Sequence, residues 1–182
     1  MPVFIALLRA VNVGGTGKLP MKELKTACED AGLRRVTTYL ASGNVIFETD
    51  ASAAATSELI ALILRDRFDL ATCDVILRQP DDLATIIAGN PFPEAARERP
   101  NLLIVLFLAG KAAQGATGAL ATYQGPERLH LDGRHLYIDY ADGIARSKLT
   151  AAFLARALGT AATGRNWSTC TKLYDLAHKL TP

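Results

Sequence analysis

VTTYLASGNVIF, residues 36–47, holds the pattern on which the fold turns. Val36 to Leu40 and Val45 to Phe47 are short runs rich in β-branched and aromatic residues, and the tight link Ala41-Ser42-Gly43-Asn44 joins them, so the stretch reads as two paired strands. Upstream, Met21, Leu24, Ala27, Cys28 and Ala31 recur at helical spacing. Pro20 suits the first helical position, where the missing N–H would have no partner, and Gly32 suits the end. Pro2 to Leu8 is a continuous apolar run and reads as a buried strand. Downstream, Leu59, Ile60, Ile63, Leu64 and Phe68 mark one face of a second helix, and Cys73 to Leu77 reads as a fourth strand. The order is strand, helix, strand, strand, helix, strand, which is the βαββαβ pattern of a ferredoxin-like unit.

The same order then starts again. Pro80-Asp81-Asp82 opens a linking helix with Leu83, Ile86 and Ile87 on one face, its acidic residues suiting the positive N-terminal end. Asn90 to Pro100, with prolines at 91, 93 and 100, reads as a linker. Leu102 to Leu108 is a buried strand, and Lys111 to Thr122 is a helix of small residues weakened by Gly115 and Gly118. Arg128 to Leu131 and Arg134 to Tyr140 flank Asp132-Gly133, a hairpin signal. Ser147 to Leu158 is a helix ended by Gly159, Ala161 to Arg165 a short strand, and Leu173, Leu176, Ala177 and Leu180 mark a final helix. The expected architecture is α+β: two fused ferredoxin-like (βαββαβ) units, antiparallel sheets with helices packed on one face, plus linking and C-terminal helices. The units are placed at residues 1–79 and 101–182, with 80–100 between them. The two copies share element order rather than evident sequence identity.

Composition sets the class. The chain has 182 residues, 49 % hydrophobic and 21 % charged, which is globular composition. Its net charge of +2 weighs against a dedicated nucleic-acid binder. Cys28, Cys73 and Cys170 are far apart and form no CxxC pair, so neither a disulfide framework nor a cysteine zinc site is expected. The N-terminal VFIALL is too short for a signal peptide core and lacks a basic lead, and no apolar run approaches the roughly 18 residues of a membrane span. The expectation is a reduced, cytoplasmic protein with no membrane partner.

The richest polar stretch is RAVNVGGTGKLP, residues 9–20. It is no Walker A loop: Asn12 stands where the first glycine belongs, and Leu19 stands where the Ser or Thr after Gly17-Lys18 belongs. Nor is it a dinucleotide fingerprint, because Pro20 replaces the third glycine. A glycine loop ahead of a helix N-terminus still offers unpaired N–H groups and the positive end of the helix dipole. Topology adds a neighbour. The first strand and the first hairpin should end at the same edge of the sheet, bringing Ser42-Gly43-Asn44 beside Arg9–Lys18.

Three segments together resemble a known family. FIALLRAVNVGG…KLPM, YLASGNVIF and GRNWSTCTKL are similar to the signature segments of the bacterial family called domain of unknown function 1697. The resemblance spans essentially the whole chain. It implies two fused ferredoxin-like units and no assigned activity. It points to Arg9, Asn12, Gly14, Gly15, Lys18, Ser42, Gly43, Asn44, Arg165, Asn166, Trp167 and Lys172 as signature positions, and it expects glycine where this chain has Ala10.

The resulting expectation is a site for an anionic or phosphorylated small molecule. Arg9 and Lys18 supply charge, backbone N–H groups around Gly14–Gly17 cradle the anion, and Asn12, Ser42 and Asn44 orient it, with Arg165–Lys172 as further contributors. Asn166 also reads as a helix N-cap, and Trp167 as a staple holding that helix to the core. His130 and His135 are read as cross-strand neighbours without the further ligands that zinc needs. No metal and no cofactor are expected, no catalytic residue is evident, and whether the protein is an enzyme and how it assembles stay open. Two other classes compete. One is a nucleic-acid module on an open sheet face, although Ser42–Phe47 lacks the basic start and most stacking aromatics of that motif. The other is an interaction or structural protein whose polar loops bind no ligand.

Overall fold

The computed structural model describes residues 1–12 and 18–181. Among them are eight strands and seven helices in two compact units, residues 1–84 with 172–181, and residues 85–171. The first unit contains β1 (Val3–Leu8), α1 (Met21–Asp30), β2 (Arg34–Tyr39), β3 (Asn44–Glu48), α2 (Ala53–Phe68) and β4 (Val75–Arg78). Helix α3 (Pro80–Ala88) crosses the boundary, and α4 (Pro93–Glu98) follows it. The second unit continues with β5 (Leu103–Leu108), α5 (Ala116–Ala121), β6 (Arg128–Asp132), β7 (His135–Asp139), α6 (Ala151–Leu158) and β8 (Ala162–Asn166). Helix α7 (Trp167–His178) crosses back, so residues 172–181, assigned from sequence to the second unit, group with the first.

Each unit has one four-stranded antiparallel sheet, in the orders β2-β3-β1-β4 and β6-β7-β5-β8. The first strand is central in both. Alternation along β1 sends Phe4, Ala6 and Leu8 into a core with Val45 and Phe47 of β3, Leu24, Ala27 and Cys28 of α1, and Ile60, Ile63 and Leu64 of α2. Each large side chain so buried contributes about 2 kcal/mol. The second core gathers Leu108, Leu136 and Ile138 of the sheet with Leu120 of α5 and Leu154, Ala157 and Leu158 of α6. The repeated strand order extends to a matching pair of residues. Arg78 lies opposite Ile5, Arg165 lies opposite Val105 at the corresponding register, and both arginines are buried. Each donates through Nη1 to the carbonyl of the residue before it, Leu77 or Gly164, at 2.8 Å.

Helix ends follow local chemistry. Ser52 Oγ accepts from Ala55 N and Thr150 Oγ1 from Phe153 N, capping α2 and α6. Thr150 therefore starts α6, and a 3₁₀ turn at Ile144–Arg146 precedes it, so the helix is shorter than the expected 147–158. Helix α5 is shorter than 111–122 because Gly115 takes a left-handed φ of +83°. The segment read as a linker contains α4. The second hairpin turns at Gly133-Arg134 rather than Asp132-Gly133, since Asp132 pairs with His135. His130 consequently faces Tyr137, which corrects the expected His130–His135 pair.

Two positions in the first unit show opposite backbone fits. Gly43 has φ +83°, and a Cβ there would lie 2.5 Å from Val11 Cγ2 and 2.8 Å from Leu8 Cβ. Ala10 has φ +56°, a conformation that glycine adopts without strain. Gly43→Ala is expected to cost about 2 kcal/mol or more. Ala10→Gly is expected to raise stability by about 0.5–1 kcal/mol. Urea denaturation midpoints of the two variants against wild type check both signs.

Candidate functional site

The end of β1 meets the β2–β3 turn, as the topology requires. Leu8 N donates to Gly43 O at 2.8 Å, and Leu7 pairs with Asn44. Asn12, at φ +54°, is the junction. Its Nδ2 donates to Leu19 O at 3.0 Å and to Ala41 O at 2.7 Å, while its Oδ1 accepts from Leu19 N at 2.7 Å. One amide thus joins residue 12 to residue 19 and ties both to the hairpin turn. Lys18 stands exposed beside this clamp. Helix α1 begins three residues after it, at Met21. Its N-cap is Pro20, which makes no side-chain capping hydrogen bond, so its first N–H groups receive no acceptor from the cap.

The other signature residues divide by environment. Asn44 is fully buried, and its Nδ2 donates to Tyr39 O at 2.7 Å and Ser42 Oγ at 3.1 Å, closing the turn from inside. Arg9 keeps a side chain 48 % exposed and pairs with Asp74 Oδ2 at 2.9 Å. Gly14 and Gly15 lie outside the described residues. Arg165, Asn166 and Trp167 belong to the second unit, and exposed Lys172 to the first. Arg165 Nη1 bonds Thr163 Oγ1 and Gly164 O, Asn166 Oδ1 accepts from Thr169 N at the start of α7, and Trp167 is buried. Asn166 is therefore the N-cap that its sequence position indicates. Among the described residues no group of three His, Cys, Asp or Glu side chains converges to hold a metal ion. The Cys28 and Cys170 thiols are both pushed up to about 12 by burial, which leaves them unreactive.

Among the described residues the densest charge network lies elsewhere, in the second unit. Asp139 of β7 is fully buried. Arg99, just after α4, meets it through two bonds, Nε to Oδ1 at 2.9 Å and Nη2 to Oδ2 at 2.7 Å. Arg128 of β6, its cross-strand partner, adds Nε at 3.0 Å and Nη2 at 2.6 Å to Oδ2. Arg128 also donates to Glu94 of α4, and its guanidinium lies 4.4 Å from the Phe92 ring centre. This network anchors α4 to the sheet. Sequence reading missed it, although an aspartate inside the apolar run HLYIDY (135–140) was the available signal.

Similarity to known proteins agrees with this architecture. The model of the family described as "Protein of unknown function (DUF1697)" matches residues 1–137. The chain belongs to this family. A solved structure, a conserved bacterial protein from Streptococcus pneumoniae, is similar over 97 % of this chain and 98 % of that one, with a TM-score of 0.69 and 20 % identity. At that identity the likeness speaks to the fold. No curated protein matches the chain. As a DUF1697 member the protein is a mixed α+β chain in which, among the described residues, no helix is long and apolar enough to cross a membrane.

The Asp139 network makes a pH-dependent contribution of definite sign. Burial alone would raise the Asp139 carboxyl, but the Arg99 and Arg128 guanidiniums hold it below the usual carboxylate range. A lowered folded value means the contribution is complete above the unfolded value near pH 4, and is lost as the pH falls through the folded value. Asp139→Asn is expected to cost about 2–3 kcal/mol at pH 7, below the usual cost of breaking a buried pair because both arginines reach solvent. In urea titrations at pH 7 and pH 3, the gap to wild type should narrow at the lower pH.

Proposed function

We propose that the first unit binds a small anionic or phosphorylated molecule at the connection between β1 and α1. Lys18 and Arg9 supply positive charge, and the first N–H groups of α1 donate to the anion. The observation that carries this reading is the Asn12 clamp. By bonding both backbone groups of Leu19 and the carbonyl of Ala41, it holds exposed Lys18 at the entry to a helix whose proline cap offers no side-chain acceptor. In this reading Asn12 and Asn44 are positioning residues, since both N–H bonds of each amide already serve the loops. Asn166 and Trp167 serve the start of α7 rather than the ligand. We further infer that each unit is ferredoxin-like, supported by the repeated order β2-β3-β1-β4 and β6-β7-β5-β8, and that the protein works in the cytoplasm, supported by three cysteines spread far apart in the sequence with no CxxC pair. Burial of every residue of β1, and of Asn44 through Phe47 in β3, argues against a nucleic acid stacking on that sheet.

Thermal unfolding against inorganic phosphate, pyrophosphate, nucleotides and sugar phosphates tests the site, with sodium chloride at matched ionic strength as control. A ligand at 100 times its dissociation constant stabilises by about 2.7 kcal/mol, a rise of roughly 5–10 °C for a chain of this size. The rise is expected in wild type and lost in Lys18→Ala. Identical melting with and without every anion would sink the reading and leave the loop a structural connection.

A further inference from the structure

The second unit leaves open a space that has a definite chemistry. Helix α5 has six residues where α1 has ten, and apart from Leu120 its side chains are small. Leu129 and Leu131 on the inner face of β6 are therefore only partly covered. A cleft of about 270 Å³ lies between them and α5, and Tyr123 and Glu127 complete its lining. Glu127, the residue before β6, borders the same cleft as Leu129 and Leu131, so a carboxylate joins a wall of leucines.

Glu127 is only 8 % exposed. Its Oε2 accepts from the Tyr123 hydroxyl at 2.5 Å, and the Ser147 hydroxyl also hydrogen-bonds it. Burial pushes this carboxyl up, but the Ser147 and Tyr123 hydroxyls and its own backbone N–H hold it below its ordinary value. No ion pair to Glu127 occurs among the described residues, although Arg146 lines a neighbouring groove of about 590 Å³ that Glu127 also borders. Buried charges are normally paired. Here two hydroxyls and a backbone N–H satisfy the hydrogen bonds, and among the described residues no cation pairs with the charge.

The aromatic neighbour is held there by a glycine. A Cβ on Gly125 would lie 2.0 Å from the Tyr123 hydroxyl oxygen and 2.2 Å from Cζ, so the ring occupies the space of a side chain at 125. Only glycine lets Tyr123 fold back to reach Glu127. Phe153 then packs on the ring at a centroid distance of 5.6 Å. A carboxylate beside an aromatic ring, at the edge of an apolar cleft, is the receptor pattern for an alkylammonium group.

We propose that this cleft binds a small molecule with an apolar body and a terminal ammonium group, the ammonium against Glu127 and the Tyr123 ring, the body between α5 and Leu129 and Leu131. The site lies wholly in the second unit and takes a cation, so it stands or falls separately from the anion site of the first.

Isothermal titration calorimetry with n-hexylammonium, hexanol and hexanoate at fixed ionic strength tests it. Hexylammonium should bind at least about tenfold more tightly than hexanol, the worth of one charge-assisted contact, and hexanoate should not bind. Glu127→Gln should abolish the preference for the ammonium. Gly125→Ala displaces the far end of the Tyr123 side chain and with it the bond to Glu127, so it should fold with a lowered Tm and weaken hexylammonium binding. If Glu127→Gln does not fold, Gly125→Ala decides. Equal binding of hexylammonium and hexanol, binding of hexanoate, or undiminished hexylammonium binding by folded Glu127→Gln or Gly125→Ala would each overturn the proposal.

Discussion

Val3–Leu8 and Leu103–Leu108 are apolar at every position, and a strand of that composition must be paired along both edges. Each therefore takes two antiparallel neighbours, β3 and β4 in one unit and β7 and β8 in the other. The remaining geometry follows from this demand. The hairpin partner β3 has to lie against β1, which sets the turn at residues 40–43 beside the chain leaving β1. The approach is close enough that Gly43 has no room for a side chain. The polar loop after β1 and the polar hairpin turn are neighbours because the central strand has to be sheltered.

Polar groups at these junctions do two kinds of work, and burial separates them. Asn12 and Asn44 satisfy backbone groups that would otherwise be left without partners in a crowded turn, and leaving such a group unsatisfied costs about 1–3 kcal/mol. Among the described residues Lys18 satisfies no such backbone group, and it is exposed to water, where a charge is available to a ligand at little desolvation cost. In the second unit the Asp139 network is of the first kind. Arg99 and Arg128 enclose one carboxylate and bring Glu94 and Phe92 with them, so a proline-rich stretch becomes an ordered helix on the sheet. Such a buried pair is weak evidence of net stability, but it is demanding about geometry. Glu127 differs from Asp139 in one respect that matters: hydroxyl groups surround it instead of guanidiniums.

Local patterns in the chain carried much of the fold. Continuous apolar runs located β1 and β5, helical spacing located α1, α2 and α7, and Gly159 marked the end of α6. Where the reading slipped, long-range contacts were responsible. Helix α4 depends on Arg99 and Glu94 meeting residues 128 and 139, which no window around residue 95 contains. The shortened α5 depends on a left-handed Gly115 at its start. The glycine preference at position 10 gained its physical reason only from a backbone φ of +56°.

For the candidate site, the sequence alone named the loop, the hairpin turn and the charged residues, because strand order in a βαββαβ unit dictates which loops share an edge. It did not tell Asn12 from Lys18, since both are polar and only the hydrogen-bond partners divide scaffold from exposed charge. Nor did it mark Glu127, a single acidic residue in a stretch full of polar ones. Alternation along a strand belongs to the chain and could be read from it. Whether a charge on the inward face meets a cation or only hydroxyl groups depends on which distant segments fold over it, and that only the tertiary structure decided.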